Sequence, residues 1–313
     1  MARSTQAATI SPRPDWLHAL PVDPPPFEVA FERLREHCAY SVAPSTVCPM
    51  CMTKEMEVLI VNAARQAQVG VRPKPEHYAR IYNEHPDCVG GESTHRLFLP
   101  FMIRDFVVEP FPKGWSHFDA PDVLEPLLLA GFWYWSEATI AHVRILATRL
   151  FLDWFEEDNW LFRREQEYRG SGCLGQGHDI LRLCAIALID PAELVARLAA
   201  LKTAKADAAL VEHFPFTPEP PFYCSLQHGE DLQAYRDACQ RIAFVLEWRL
   251  EEAYRHIINA DWLTAAFMRQ TESEPMLAKL ISDFEYERSV AMVHAGLSEE
   301  ATDWPDLPRT QLS

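Results

Sequence analysis

An all-α fold is what this sequence predicts, and three observations carry it. Apolar residues recur at turns of three and four along nearly the whole body of the chain. No series of short segments alternates apolar and polar side chains as half-buried strands would. Residues suited to starting helices stand at the head of several apolar stripes. The expected architecture is a single irregular helical array or bundle, with an extended leader over residues 1–27, one all-α domain over 28–297 and a flexible tail over 298–313.

Taken in order, the leader holds Pro12, Pro14, Pro21, Pro24, Pro25 and Pro26, a density that blocks helix and strand alike. Thr53 is placed to cap a helix whose first turn carries Glu55 and Glu57, with Met56, Leu59, Ile60, Ala63, Ala64 and Ala67 on one stripe. Ser136 starts a long helix in which Ile140, Val143, Ala147, Leu150, Phe151 and Trp154 repeat at helical spacing. Asp190-Pro191 is a strong start signal. The aspartate accepts from free amides, proline's missing N–H costs nothing at the first helical position, and Leu194, Leu198 and Leu201 then share a face. "FPFTPEPPF" (214–222) interrupts the pattern as a loop packed over the core, and helices follow over 230–258 and 274–294. Phe132-Trp133-Tyr134-Trp135 reads as core or helix-junction packing.

A chain of 313 residues with 48% apolar content can bury a large core without cross-links. Its opening, "MARSTQAATISPRPDW", lacks the apolar stretch of a secretory signal, and the eight cysteines are irregularly spaced, so a reducing cytoplasm is the expected location. The most apolar run, "VLEPLLLAGFWYW", is short and interrupted by Pro126 and Gly131, which argues against a membrane span. Lysine and arginine number 29 against 45 aspartates and glutamates; the resulting net charge of −16 argues against a nucleic-acid partner, because phosphate contacts need cations.

The segment with most chemistry in it is "CPMCMTKEMEVLI" (48–60), where Cys48 and Cys51 precede a helix start. A C-x-x-C turn supplies two of the four ligands a structural zinc needs, and two more must come from elsewhere. Cys38 and Cys88 complete a candidate set of Cys38, Cys48, Cys51 and Cys88 for zinc, with His37 or His85 as substitutes; packed or free thiols are the alternative. A thioredoxin-like redox pair needs a strand before the motif, and none is predicted there.

Other motifs carry less. Gly170 to Gly175 spells G-x-G-x-x-G, but the charged helical "FRREQEY" precedes it where a dinucleotide loop needs a buried strand, so it reads as a connection, and Cys173 with His178 as a weak nucleophile–base pair. Glu92 with His95, and His142, form neither H-E-x-x-H nor paired E-x-x-H elements. No catalytic residue is assigned.

Cys48-Pro49-Met50-Cys51, then Phe98-Leu99-Pro100, "DILRLCAIALIDPAELVARLAAL" and "WRLEEAYRHIINADWLTAAFMRQ" resemble the elements of an uncharacterised family of bacterial helical proteins. The resemblance runs over most of the chain and implies a shared helical fold. Family members often carry an arginine after Phe-Leu-Pro, where this chain has Phe101; Arg96 and Arg104 lie nearby at other positions.

Two functions are expected from these observations. The first is a non-catalytic acidic interaction protein that neutralises a basic protein partner such as a bacterial toxin, with Glu156, Glu157 and Asp158 as one docking face. The second is a metal- or thiol-dependent enzyme using Cys48 and Cys51.

Overall fold

The computed structural model describes residues 10, 12–83, 86–108, 127–128, 130–156, 176–212 and 229–294. Among these the chain is all-α, as its periodicity predicts: ten α-helices and no strand, with one isolated bridge between His18 and Ile189. The helices are α1 (Phe27–Cys38), α2 (Lys54–Gln68), α3 (Gly91–Met102), α4 (Glu137–Glu156), α5 (Gln176–Ile186), α6 (Pro191–Leu201), α7 (Ala204–Val211), α8 (Gly229–Ile257), α9 (Ala260–Gln270) and α10 (Pro275–His294). No helix among the described residues is long and apolar enough to cross a membrane. "FPFTPEPPF", the G-x-G-x-x-G stretch, Cys173 and the tail over 298–313 lie outside the described residues.

Helix starts follow local chemistry. Thr53 Oγ1 accepts from the Met56 amide at 3.3 Å, Ser136 Oγ from Thr139 at 3.3 Å, and Asp190 Oδ1 from Ala192 at 3.0 Å, as the sequence predicts. Two further caps act in the same way, Thr203 Oγ1 on Ala206 and Asn259 Oδ1 on Trp262. The Asn259 cap opens α9, which fills the interval 259–273 to which the sequence pattern assigns no element. On α2, Ile60, Ala63, Ala64 and Ala67 are buried, whereas Leu59 is 40% exposed and marks the edge of the stripe. Pro100 sits inside α3, and a π-helical stretch follows at Ile103–Val108. Proline's missing N–H disturbs the i→i−4 ladder here, and the looser turn follows directly.

One continuous core gathers these faces. Helix α1 packs on α3 and α4, α4 on α5, α6 on α8, and α10 on α9 and α7. Phe132, Trp133 and Trp135 are buried at the entrance to α4, with Trp133 Nε1 donating to the Ile186 carbonyl at 2.9 Å. Residues 12–26 form no helix, yet Leu17 is buried, and His18 pairs its backbone with Leu188 and Asp190 at 2.9 Å each. The end of the leader is therefore tied to the α5–α6 turn.

Buried charges join helices that are distant in sequence. Arg249 of α8 donates to Asp190 through Nε at 3.1 Å and a terminal nitrogen at 2.7 Å, and to Glu252 at 2.9 Å. Asp207 of α7 accepts from Arg269 at 2.8 Å and Gln270 at 2.6 Å, clamping α7 to α9. Each carboxylate is compensated by geometry that local sequence does not display.

Candidate metal centre

The connection between α1 and α2 runs along the edge of the core, with Ser41, Pro44, Val47 and Met52 buried and the residues between them half-buried or exposed. Several contacts hold it against α3 and α2. Ser93 Oγ accepts from the Val42 amide at 2.7 Å and donates to the Val42 carbonyl at 3.0 Å. Ser41 receives Arg96 Nε on its hydroxyl at 2.8 Å and Gln68 Nε2 on its carbonyl at 2.9 Å. At the far end the Cys48 amide donates to the Cys88 carbonyl at 2.7 Å, pinning the loop to the 3-10 turn Pro86–Val89 that leads into α3.

That backbone bond sets the side chains beside it together. Cys48 and Cys51 occupy one tight turn, in which the Cys51 and Met52 amides donate back to the Cys48 carbonyl at 3.2 and 3.0 Å. Cys88 faces the turn from the other segment. The three Sγ atoms lie within 4.8 Å of one another, and Cys51 Sγ is 3.3 Å from Cys88 Sγ. A tetrahedral zinc with Zn–S bonds of about 2.3 Å sets its sulfurs about 3.8 Å apart. The Cys51–Cys88 separation is about 0.5 Å inside that distance and all three sulfurs lie within 4.8 Å of one another, so the three thiols could hold one metal ion.

The electrostatics of the cluster favour a cation. Backbone N–H groups of Met50 and Cys51 beside the Cys48 sulfur hold its thiol below the usual range. The Cys88 thiol is pushed up to about 12, first by its hydrogen bond with Cys51, then by desolvation and the neighbouring sulfur charges. Adjacent thiolates repel one another, and a divalent ion removes the repulsion as it displaces protons. All three cysteines are half-buried.

An open groove of about 540 Å³ runs beside the centre, lined by the Val42–Pro49 stretch with Asp87, Gly90 and Ser93. Cys48 forms part of its wall. Cys51 and Cys88 do not line it.

The remaining candidate residues sit elsewhere. Cys38, the last residue of α1, is fully buried in the core, and burial pushes its thiol up to about 12. It is not among the three clustered sulfurs. A signal for this stood in the sequence: Cys38 is four residues after Leu34 and continues the apolar stripe of Ala30, Phe31 and Leu34. His37 turns to α4, its Nε2 2.9 Å from Thr139 Oγ1 and its ring 5.0 Å from that of His142. His85 lies outside the described residues. Glu92 pairs with Arg96 at 3.2 Å, and His95 is buried with Nδ1 3.2 Å from the Gly91 carbonyl. Glu156 pairs with Arg197 of α6, while Glu157 and Asp158 lie outside the described residues.

Comparison of the chain with family models, with curated proteins and with solved structures returned no match. Its chemistry must therefore be read from the three sulfurs and their surroundings.

Proposed function

We propose that this is a zinc-binding helical protein in which Cys48, Cys51 and Cys88 hold the ion, and the ion organises the neighbouring groove for ligand recognition. The observation that carries the reading is the convergence of three thiols within 4.8 Å from two segments of the chain. Thiolate donors select soft or borderline ions, and zinc suits a compact sulfur set around a single centre. A four-coordinate zinc on these three sulfurs takes its fourth ligand from water or from a bound molecule.

Metal binding would supply structure at a place where the core supplies little. The loop from Tyr40 to Cys51 exposes Tyr40, Val42 and Met50, with relative exposures of 92%, 73% and 93%. Its attachment rests on Pro44 and Val47, which are buried, on a few hydrogen bonds and on the cysteine contact. A bound ion joins it to the turn before α3 and so fixes both walls of the groove.

The experiment is elemental analysis of the purified full chain beside its Cys48→Ser and Cys88→Ser variants. The expected result is about one zinc per wild-type chain, lost in both variants, with a chelator-sensitive melting temperature in the wild type only. Wild-type protein that stays metal-free after incubation with zinc, and melts the same with and without chelator, refutes the proposal. An acidic face that neutralises a basic partner has a narrower basis: net charge −16, with the described member of its cluster, Glu156, already engaged by Arg197. An association rate that falls steeply with added salt would be its signature.

A further inference from the structure

We infer that the cysteine centre is a reversible oxidation switch, in which a hydroperoxide links Cys51 to Cys88 as a disulfide and releases the metal; the metal half of this inference rests on the zinc reading above. The pair is assigned by geometry. Cys51 Sγ and Cys88 Sγ are 3.3 Å apart, so closing to a disulfide bond length of about 2.05 Å needs an approach of only about 1.2 Å. The segments that carry them are already joined by the 2.7 Å bond from the Cys48 amide to the Cys88 carbonyl, so neither has to leave its place. Cys48 and Cys51 share one tight turn, whereas the Cys51–Cys88 link ties the loop across to the turn before α3.

Access separates this pair from the other thiols. Cys48, Cys51 and Cys88 are half-buried, and Cys48 lines the open groove. Cys38, Cys184 and Cys239 are fully buried in the core. A small oxidant therefore reaches the cluster and not the other three cysteines among the described residues.

The chemistry balances with hydrogen peroxide as the oxidant. One sulfur of the pair attacks a peroxide oxygen, the O–O bond breaks, and the departing hydroxide takes a proton to become water, leaving a sulfenic acid. The second thiolate attacks that sulfur, the S–O bond breaks, and a second hydroxide leaves as water after protonation. Two electrons pass from the two sulfurs to the peroxide, and one S–S bond forms. Cys48 alone cannot retain zinc, so the ion leaves as the divalent cation. A dithiol returns two electrons and two protons, regenerates both thiols and restores the site. The loop stays anchored in both forms, by metal in one and by a covalent bond in the other, while only the reduced form presents an ion beside the groove.

The test uses the full chain, reduced, incubated with zinc and desalted, with zinc content measured before any oxidant is added. Hydrogen peroxide is then titrated in while a chromogenic chelator records released zinc, and tryptic mapping identifies any linked peptides. The expected result is about one zinc released per chain, a Cys51–Cys88 peptide, and recovery of the Cys51 and Cys88 thiols and of zinc binding after dithiothreitol. Because the map is made on wild-type protein, it does not depend on the folding of variants; Cys88→Ser, if folded, should form no such link. A Cys48–Cys51 link, oxidation beyond sulfenic acid without a link, or zinc retained after the disulfide has formed overturns the inference. Absence of zinc before oxidant refutes the metal reading separately, and the peptide map still decides whether Cys51 and Cys88 are the switch pair.

Discussion

Replacing Asp190 with alanine removes two things at once, and the structure says how much each is worth. The carboxylate caps α6 through the Ala192 amide at 3.0 Å, and loss of such a cap costs about 1 kcal/mol. It also neutralises Arg249, whose side chain is 3% exposed and which it meets through both oxygens at 3.1 and 2.7 Å. Breaking a buried ion pair from one side costs roughly 3–5 kcal/mol, because the remaining charge is left in the core. Glu252, 2.9 Å from the same guanidinium, still offsets part of that charge, which places the loss near the lower end, about 3 kcal/mol. The sum is about 4 kcal/mol. With an unfolding entropy of about 2.1 cal/mol/K per residue over the 313-residue chain, the melting temperature should fall by about 6 °C. Urea unfolding followed by far-UV circular dichroism measures the loss directly. Asp190→Asn keeps an oxygen for the cap and should retain about 1 kcal/mol relative to alanine. Combining Asp190→Ala with Arg249→Met removes both members of the pair, although Glu252 then loses its Arg249 contact, so the double variant should be more stable than the sum of the single losses by about 1–2 kcal/mol. A loss under 1 kcal/mol for Asp190→Ala, or strict additivity in the double variant, would show that this pair does not hold α6 to α8 as described.

Two further outcomes follow from other parts of the fold. His142 titrates below its ordinary value of 6.5 because of burial first, then His37 and Arg33, and His18 is lowered by burial and Arg144. The unfolded imidazoles therefore bind protons more readily than the folded ones, so stability should be full above pH 6.5 and decline as pH falls through and below it. Urea midpoints at pH 7.5 and 5.5 check this, and a decline equally steep in the His142→Gln, His18→Gln double variant would contradict it. Gly90 has φ +97°, and a Cβ there would sit 2.5 Å from Thr94 Oγ1 and 2.8 Å from Pro44 Cβ. Gly90→Ala should therefore cost about 2–3 kcal/mol and lower zinc retention by moving the groove wall; unchanged melting and zinc content would count against the tight approach.

The elements most legible in the sequence are those whose causes are local. Thr53, Ser136 and Asp190 head their helices because a side-chain oxygen meets an amide two or three residues on, a relation contained within a few positions. The long helices near the C-terminal end follow from periodicity alone, and match Gly229–Ile257 and Pro275–His294 closely. The break before Asn259 is placed by the sequence pattern, but α9 itself is not, because it is only 11 residues long and buries only Leu263, Ala266 and Gln270, too few for a clear apolar stripe.

For the candidate site, the sequence by itself determined the knuckle: Cys48-Pro49-Met50-Cys51 bends so that two sulfurs share one turn, a local property of the backbone. Which other cysteine joins them is a matter of long-range packing. Cys38 lies nearer in sequence but is carried inward by the helical period that buries Leu34. Cys88 is brought to the knuckle by one backbone hydrogen bond to Cys48, made where the loop is pressed onto the turn before α3. The Asp190–Arg249 pair has the same character, joining residues 59 positions apart. Helix starts and turns depend on neighbours in the chain and can be read from it; sulfurs and buried charges find partners only when the core has set two distant segments side by side.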